Sequence, residues 1–272
     1  YIALVLMAVA GTRPAQAQRR PAPAATPAAA PAPALDSTAW ATLHWRHIGP
    51  EGNRVTSVAG IAGDAFTYYA GAASGGLWKT GDGGIHWTPL FDDQPVSSIG
   101  ALAVAPSDPN VVWAGTGEPF IRSHVSVGWG VFRSTDAGKS WRRMGLDSTG
   151  RISRVIVHPT DPRTVYVAAL GHLYGPQPQR GIYRTTDGGT TWERVLFVND
   201  STGASDLVMD PNNPRILFAG FWQVELHTWG RSSGGAGSGI WKSTDGGTTW
   251  TRLTGSGLPT RQVGKVGLAM TR

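Results

Sequence analysis

The octapeptide TTDGGTTW, Thr185–Trp192, decides how the rest of this chain is read. It returns as STDGGTTW at Ser243–Trp250, as STDAGKSW at Ser134–Trp141 and as TGDGGIHW at Thr80–Trp87. One template covers all four: a hydroxyl residue, an aspartate two places on, a glycine two beyond that, and a tryptophan three further. Copies spaced at roughly 50 to 60 residues form an internal repeat, the mark of a solenoid, a propeller or an array.

Each conserved type in the template has a physical use. The carboxylates of Asp82, Asp136, Asp187 and Asp245 are expected to accept hydrogen bonds from backbone N–H groups one and two residues ahead, closing an Asx-type turn. Gly84, Gly138, Gly189 and Gly247 supply positive φ where a side chain would clash. Short apolar stretches, GLWKT, GVFRS, GIYRT and GIWKS, precede the turns. Behind them Trp87, Trp141, Trp192 and Trp250 open a second strand, each indole free to wedge between neighbouring sheets. A calcium loop needs several oxygen ligands at alternate positions, and glycine occupies them here, so the aspartates read as turn formers. No metal site and no cofactor is expected.

Working outward, four short strands fit each period. In the third repeat they are ISRVIVHP, VYVAAL, GIYRTT and TWERVLF, labelled A to D, with Asp161-Pro162 turning A into B. Asp108-Pro109 and Asp210-Pro211 serve the second and fourth repeats in the same way. Four strands per period is a propeller blade. The expected fold is therefore all-β: a β-propeller fragment with about four four-stranded blades, at about 54–92, 99–145, 152–197 and 205–254, plus incomplete strands at both ends. Trp45 falls where a strand-D tryptophan falls, and Val263–Met270 resembles a new strand A, so the remaining blades of the ring are expected beyond Arg272.

Composition agrees with a chain of short strands and turns. The 272 residues include 37 glycines and 12 tryptophans, and only 15% are charged. Net charge is +6, and 20 of the 24 basic residues are arginine. The arginines are spread through the repeats with no basic run interleaved with aromatics, so no nucleic-acid partner is expected. Cysteine is absent, which removes disulfides and thiolate metal sites. YIALVLMAVA at the start is too short to span a bilayer and is followed by Ala15-Gln16-Ala17, a small-residue cleavage pattern, so residues 1–17 read as a signal peptide. An uncleaved membrane anchor is the alternative. Residues 18–38, rich in proline and alanine, read as an extended linker, and 39–272 as the propeller. The protein is expected to be exported, periplasmic or extracellular, without a transmembrane helix.

The four aspartate repeats, the Asp-Pro turns and the run VYVAALGHLYG resemble the Asp-box, or bacterial-neuraminidase-repeat, propellers. They are most similar to the sortilin-type group of bacterial exported proteins often labelled glycosyl hydrolases. The resemblance covers about Trp40 to Met270 and implies the fold. It leaves activity open, since the same box occurs in sialidases, in xyloglucan-degrading enzymes and in receptors with no catalytic role.

A propeller with this strand order puts the A–B and C–D turns on one face and the B–C and D–A loops on the other. The B–C segments grow along the chain: GAASGG, then GEPFIRSHVSVGW, then GHLYGPQPQR, then WQVELHTWGRSSGGAGS. Lengthening confined to one face is the mark of a binding surface. The second segment offers Glu118, Arg122, His124 and Trp129, and the third offers His172 and Tyr174. The fourth adds Trp222, Glu225, His227 and Trp229. Aromatic rings with carboxylates and histidines suit a glycan or peptide ligand, the rings stacking on an apolar face while polar groups fix orientation.

A glycoside hydrolase is the alternative, with no catalytic residue assigned and Glu118 as a weak candidate. Such enzymes need two carboxyl groups about 5 or 6.5 to 9.5 Å apart. Candidate carboxyls are Glu118 and Glu225, with Asp92, Asp93, Asp147, Asp200 and Asp206 expected in D–A loops, yet nothing in the sequence pairs them. The Arg-Ile-Pro signature of sialidases is missing. Tyr68–Thr80 resembles xyloglucanase-type propellers, in which the catalytic base is an aspartate just before paired glycines, whereas Ala73 and Ser74 occupy that region here. A binding or interaction propeller is the preferred reading, with a purely structural propeller as a third.

Overall fold

The computed structural model describes residues 49–50, 54–122 and 125–271. Contacts divide the chain into Tyr1–Arg46, which lies outside the described residues, and His47–Arg272. The expected signal peptide, the linker and the strand at Trp45 therefore fall outside the described residues, as does His124.

Four antiparallel four-stranded sheets follow one another as propeller blades. The first is β1 (Val55–Gly60), β2 (Tyr68–Ala72), β3 (Leu77–Thr80) and β4 (Thr88–Pro89). The second is β5 (Ile99–Ala105), β6 (Asp108–Thr116), β7 (Val131–Ser134) and β8 (Arg142–Arg143), with one 3-10 turn at Asp147–Thr149 behind it. The third is β9 (Ile152–Val157), β10 (Val165–Ala169), β11 (Gly181–Thr185) and β12 (Glu193–Leu196). In the fourth, β13 (Thr202–Met209), β14 (Leu217–His227), β16 (Gly239–Ser243) and β17 (Thr251–Arg252) form the blade, and β15 (Gly230–Ser233) pairs with the far end of β14.

The aspartate turns differ from expectation in one respect. Each carboxylate reaches three and four residues ahead rather than one and two. Asp187 Oδ1 accepts from the N–H groups of Thr190 and Thr191 at 2.9 and 3.0 Å, and Asp245 Oδ1 from Thr248 and Thr249 at 3.0 and 2.9 Å. The hydroxyl residue and the A–B turn together explain the longer reach. Thr185 Oγ1 donates to Asp187 Oδ1 at 2.8 Å and accepts from Gly189 N at 2.9 Å, while Gly188 N donates to Arg163 O of the A–B turn at 3.0 Å, so both near N–H groups are already taken. The carboxylate thus holds the chain up to the tryptophan, which is why strand D is short and starts after the indole. By contrast, Asp161 and Asp210 in the A–B turns do accept from the N–H two residues ahead, at 3.1 and 2.8 Å.

Blades are fastened to one another in two places. At the outer edge the indoles wedge as expected: Trp192 meets Trp113 of the preceding blade edge-on at 6.1 Å, and Trp141 meets Phe91 at 5.2 Å. Beside them a strand-B aromatic and a strand-C base face each other in register, as Tyr69↔Lys79, Trp113↔Arg133, Tyr166↔Arg184 and Phe218↔Lys242. These pairs clasp the next blade's turn. Lys79 Nζ and Tyr69 Oη donate to Ala137 O at 3.3 and 3.1 Å, Arg133 to Gly188 O at 3.2 Å, and Arg184 and Tyr166 each to Gly246 O at 2.8 Å. The repeating basic residues are therefore bonds between blades, not merely solvated surface.

At the inner edge every strand A carries an irregularity at one matching residue: Thr56, Gly100, Ser153 and Ser205. A bulge re-aims its side chain. Thr56 Oγ1 thereby bonds Ile99 O of the next blade at 2.5 Å, and Ser153 Oγ bonds Ala204 O at 2.7 Å. In the second blade Gly100 stands there, and a Cβ would lie 2.3 Å from Ile152 O, so only glycine allows the same approach.

Val263–Met270 forms no ladder among the described residues, yet it occupies the matching place beside the fourth blade. Ser205 Oγ donates to Val266 O at 2.8 Å, and Val266 lies against Gly220 as Ile99 lies against Gly71 and Ile152 against Gly115. Strand pairing needs a neighbour on the other edge, and no described residue supplies one.

Candidate functional site

Antiparallel succession within each sheet sends the B–C and D–A connections to the face opposite the aspartate turns. The first blade makes its B–C connection in four residues, 73–76. In the other blades the connections meet. Leu226 N donates to Leu173 O at 2.8 Å, and Arg231 Nη1 to Ile121 O at 3.3 Å, tying the fourth connection to the third and the second. Beneath these bonds Leu170, Leu173, Trp222 and Val224 form a buried apolar cluster, with Ile121, Val125 and Leu226 packed against it.

Trp222, expected as a ligand contact, is instead part of the buried support beneath this face. It is 4% exposed, and its indole N–H donates to Ser233 Oγ at 3.1 Å. The fourth connection is a strand extension: Val224, Glu225, Leu226 and His227 pair with Ser233, Ser232, Arg231 and Gly230. Strand geometry alternates side chains, so Trp222, Val224 and Leu226 point to the cluster and Gln223, Glu225 and His227 to the other side.

Above the cluster lies a depression of about 610 Å³ lined by Arg122, Tyr174, Leu226, His227 and Arg231 among others. Three of the sequence candidates, Arg122, Tyr174 and His227, are brought together there. Tyr174 is 65% exposed. Trp229 is 84% exposed at the tip of the β14–β15 hairpin and stacks on His227, rings 5.0 Å apart and 11° from parallel. Glu225 Oε1 sits 4.0 Å from His227 Nδ1.

The remaining candidates are placed elsewhere. Trp129 stays exposed with Arg143 stacked on it, the guanidinium carbon 4.0 Å from the ring centroid, and is not among the residues lining the depression. His172 packs against Gly150, and burial first, then the charges of Arg151 and Arg180, push its imidazole below the usual range. Glu118 is wholly buried under the face. Its Oε1 accepts from Arg54 and from Arg122, the latter at 3.0 Å, while Oε2 has no partner among the described residues. Asp206 lies on β13 rather than in a D–A loop, because strand A begins as early as Thr202. It pairs with Arg154 at 2.8 Å and accepts from Leu268 N at 2.8 Å.

Sequence reading missed Arg151, Arg180 and Arg231. Arg151 and Arg180 are almost fully buried under the face, and their guanidiniums donate to carbonyls: Arg151 to Val125 O at 3.1 Å, Arg180 to Ser201 O and His172 O at 2.7 Å each. Burial brings the Arg151 guanidinium down to about 10, against the opposing pull of Tyr174 and Glu118. The signal for Trp222 was present: Trp222-Gln223-Val224-Glu225-Leu226-His227 alternates apolar and polar residues, which is a strand pattern. No local signal marks the arginines.

The second feature of the molecule is a space of about 400 Å³ at the inner edge, lined by Thr56, Gly100, Ser153, Ser205 and Lys265 among others. Lys265 Nζ stands 4.3 Å from the Phe120 ring centroid and donates to Pro119 O at 3.4 Å. Among the described residues no helix is long and apolar enough to cross a membrane.

Fold and face together define a β-propeller with its diversified loops gathered on one side. The sortilin family model, described as Sortilin, neurotensin receptor 3, matches residues 130–258. A xyloglucanase of Paenibacillus sp is 28% identical over 241 residues, covering 78% of this chain and 22% of the relative. Xyloglucanase Xgh74A of Acetivibrio thermocellus is 28% identical over 217 residues, covering 69% and 24%. The crystal structure of an ancestral GH74 enzyme superposes with a TM-score of 0.60 at 21% identity, over 79% of this chain and 27% of that one, a likeness of fold. The chain thus spans 22% and 24% of the length of these two curated relatives.

Proposed function

We propose that this chain is part of an exported propeller that binds a glycan on the face carrying the long B–C connections. The observation that carries the reading is the convergence of three connections on one depression. Arg122, Tyr174 and His227 come from three different blades, and each connection is bonded to another through its backbone. Exposed Trp229 stacked on His227 supplies a flat aromatic platform of the kind on which sugar rings pack. The names of the relatives, xyloglucanases, favour a glycan over a peptide.

Further blades are part of the same proposal. Phe218 and Lys242 stand in register where, in the other three blades, an aromatic and a base clasp the next aspartate turn. The fourth blade therefore presents a prepared seat for one more turn, as Ser205 does for Val266 at the inner edge.

The test is retention in affinity gels containing plant and bacterial polysaccharides, with the unsubstituted chain and Trp229→Ala compared. Retention by at least one glycan, reduced in the Trp229 variant, supports the reading; no retention by any glycan, or equal retention of both forms, defeats it. The relatives also keep a glycoside hydrolase in view as the second reading. It predicts that the longer protein releases reducing ends and that Glu118→Gln abolishes the release. Burial of Glu118 beneath Arg54 and Arg122, and Ala73 in place of a carboxylate, weigh against this.

A further inference from the structure

We propose that the β14–β15 hairpin carries a hydrolytic centre made of Ser232, His227 and Glu225, which removes short acyl esters such as acetyl groups from a glycan bound on this face. The inference rests on the glycan-binding reading above and adds a reaction and the substituent it acts on. Its basis is the register of one hairpin. Glu225 pairs with Ser232 and His227 with Gly230, so side-chain alternation puts Glu225, His227 and Ser232 on the same side of the two strands. His227 Nε2 then faces Ser232 Oγ at 3.3 Å, and its Nδ1 faces Glu225 Oε1 at 4.0 Å.

A hydroxyl is a weak nucleophile until a base takes its proton, and the base works best when a third group holds it in one orientation. The Glu225 carboxylate beside Nδ1 favours the tautomer with its proton there, which leaves the Nε2 lone pair for the Ser232 hydroxyl. Trp229, stacked on the imidazole with ring centroids 5.0 Å apart, holds the ring plane as well. Both contacts of the imidazole are long, and catalytic contacts of this kind tighten when substrate is bound. Ser232 is exposed, and at Gly230, opposite His227, a Cβ would meet only open space, so a substrate has room beside nucleophile and base. His227 also lines the depression together with Arg122 and Arg231, whose guanidinium N–H groups can hold a developing oxyanion.

The reaction balances with water alone. Ser232 Oγ attacks the ester carbonyl carbon while His227 Nε2 takes the hydroxyl proton, giving a tetrahedral oxyanion. As the bond from that carbon to the sugar oxygen breaks, His227 hands the proton to the sugar oxygen, and the acyl group stays on Ser232. Water, deprotonated by the same nitrogen, then attacks the acyl-serine; the carboxylic acid departs and Ser232 regains its proton. An ester suits this centre better than an amide, because an alcohol leaves more readily than an amine and the three side chains are open to water.

The experiment follows acetate release by the purified 272-residue chain from para-nitrophenyl acetate and from O-acetylated xylan, together with labelling by a fluorophosphonate mapped by peptide mass spectrometry. The expected result is release from both esters, and a label on Ser232 that the heat-unfolded chain does not take up. Ser232→Ala should lower kcat/KM by about a hundredfold or more at an unchanged melting temperature, and His227→Gln should lower release and labelling together. Glu225 is a positioning residue: Glu225→Gln should lower kcat by about tenfold at an unchanged KM, and Glu225→Asp should recover part of the loss. Release that survives Ser232→Ala, or a label spread over other serines, overturns the centre. Neither release nor label, in a chain that glycan gels still retain, overturns it and leaves glycan binding standing. Release from para-nitrophenyl acetate alone keeps Ser232 as nucleophile and overturns the acylated glycan as its substrate; if no gel retains the chain either, the glycan reading falls as well.

Discussion

The two faces of this propeller are made by opposite rules. On one, four aspartate turns repeat the same bonds almost atom for atom: the hydroxyl donates to the carboxylate at 2.7–2.8 Å in all four. On the other, four B–C connections share neither length nor conformation, running from a four-residue link to a paired hairpin. Bonds that every blade needs to hold its neighbour cannot vary without loosening the arc. Loops whose backbone is anchored at both ends can vary freely, and three of them have done so towards one point. If the proposed reading holds, stability belongs to the repeated face and glycan recognition to the varied one, and substitutions on the two should separate.

The sharpest separation is expected from Trp192→Ala. The indole fills the seam between the second and third blades, edge-on to Trp113, and its N–H donates to Met144 O at 2.6 Å. Truncating a packed tryptophan costs roughly 3–5 kcal/mol. Urea unfolding should show the midpoint falling steeply, and a loss under about 1 kcal/mol would mean that the seam is not where cohesion resides.

Acid should act on the same face. Hydrogen bonds from Thr191, Thr249 and the Ser140 hydroxyl, and from the His86 N–H, hold the carboxyls of Asp187, Asp245, Asp136 and Asp82 below the ordinary 3.8, Asp136 at about 2. A depressed folded value means that the contribution is fully present above the unfolded value. It is lost as pH falls through the folded one. Urea midpoints should slip below about pH 6.5, where unfolding lets the partly buried His172 take up a proton, and then drop more steeply from about 4 towards pH 2, with Asp187→Asn flattening part of the steeper drop. A wild-type profile flat over that window would break the link between the turns and stability.

A smaller change of opposite sign is expected at Ala137. Three of the four turns place glycine after the aspartate with φ of 71 to 77°, and the second places alanine there at φ 59°. A left-handed alanine carries strain that glycine does not, partly offset by glycine's greater freedom when unfolded. Ala137→Gly should therefore raise stability by roughly 0.5 kcal/mol, measurable as a small rise in melting temperature.

The sequence made the repeated face legible because repetition lets four copies vote on each position. Asp187, Gly189 and Trp192 were read as turn, hinge and wedge, and the strands around them followed from period-two patterning. The reach of the carboxylate is not legible in the template, which does not reveal that the hydroxyl takes one near N–H and a carbonyl of the A–B turn the other. The clasp made by Lys79, Arg133 and Arg184 was invisible for a related reason. Spacing reports neighbours within a blade, and these side chains act on the next one. The varied face has no copies to compare. Reading Trp222 as a ligand contact follows from ending β14 before His227, and nothing local to Arg151 and Arg180 signals that folding buries them with carbonyl oxygens as their hydrogen-bond partners.

The last comparison sets one tryptophan against another. Trp229 is as aromatic as Trp192, but it sits 84% exposed at the hairpin tip with His227 as its ring partner. Little apolar surface returns to water when it is truncated, so Trp229→Ala should shift stability by no more than about 0.5 kcal/mol, within the range of ordinary surface changes. Glycan retention should nevertheless fall, because the platform is gone while the arginines remain. If Trp229→Ala destabilised the chain as strongly as Trp192→Ala, the hairpin would be part of the scaffold. The division of labour between the two faces would then fail at the residue where it is most exposed to test.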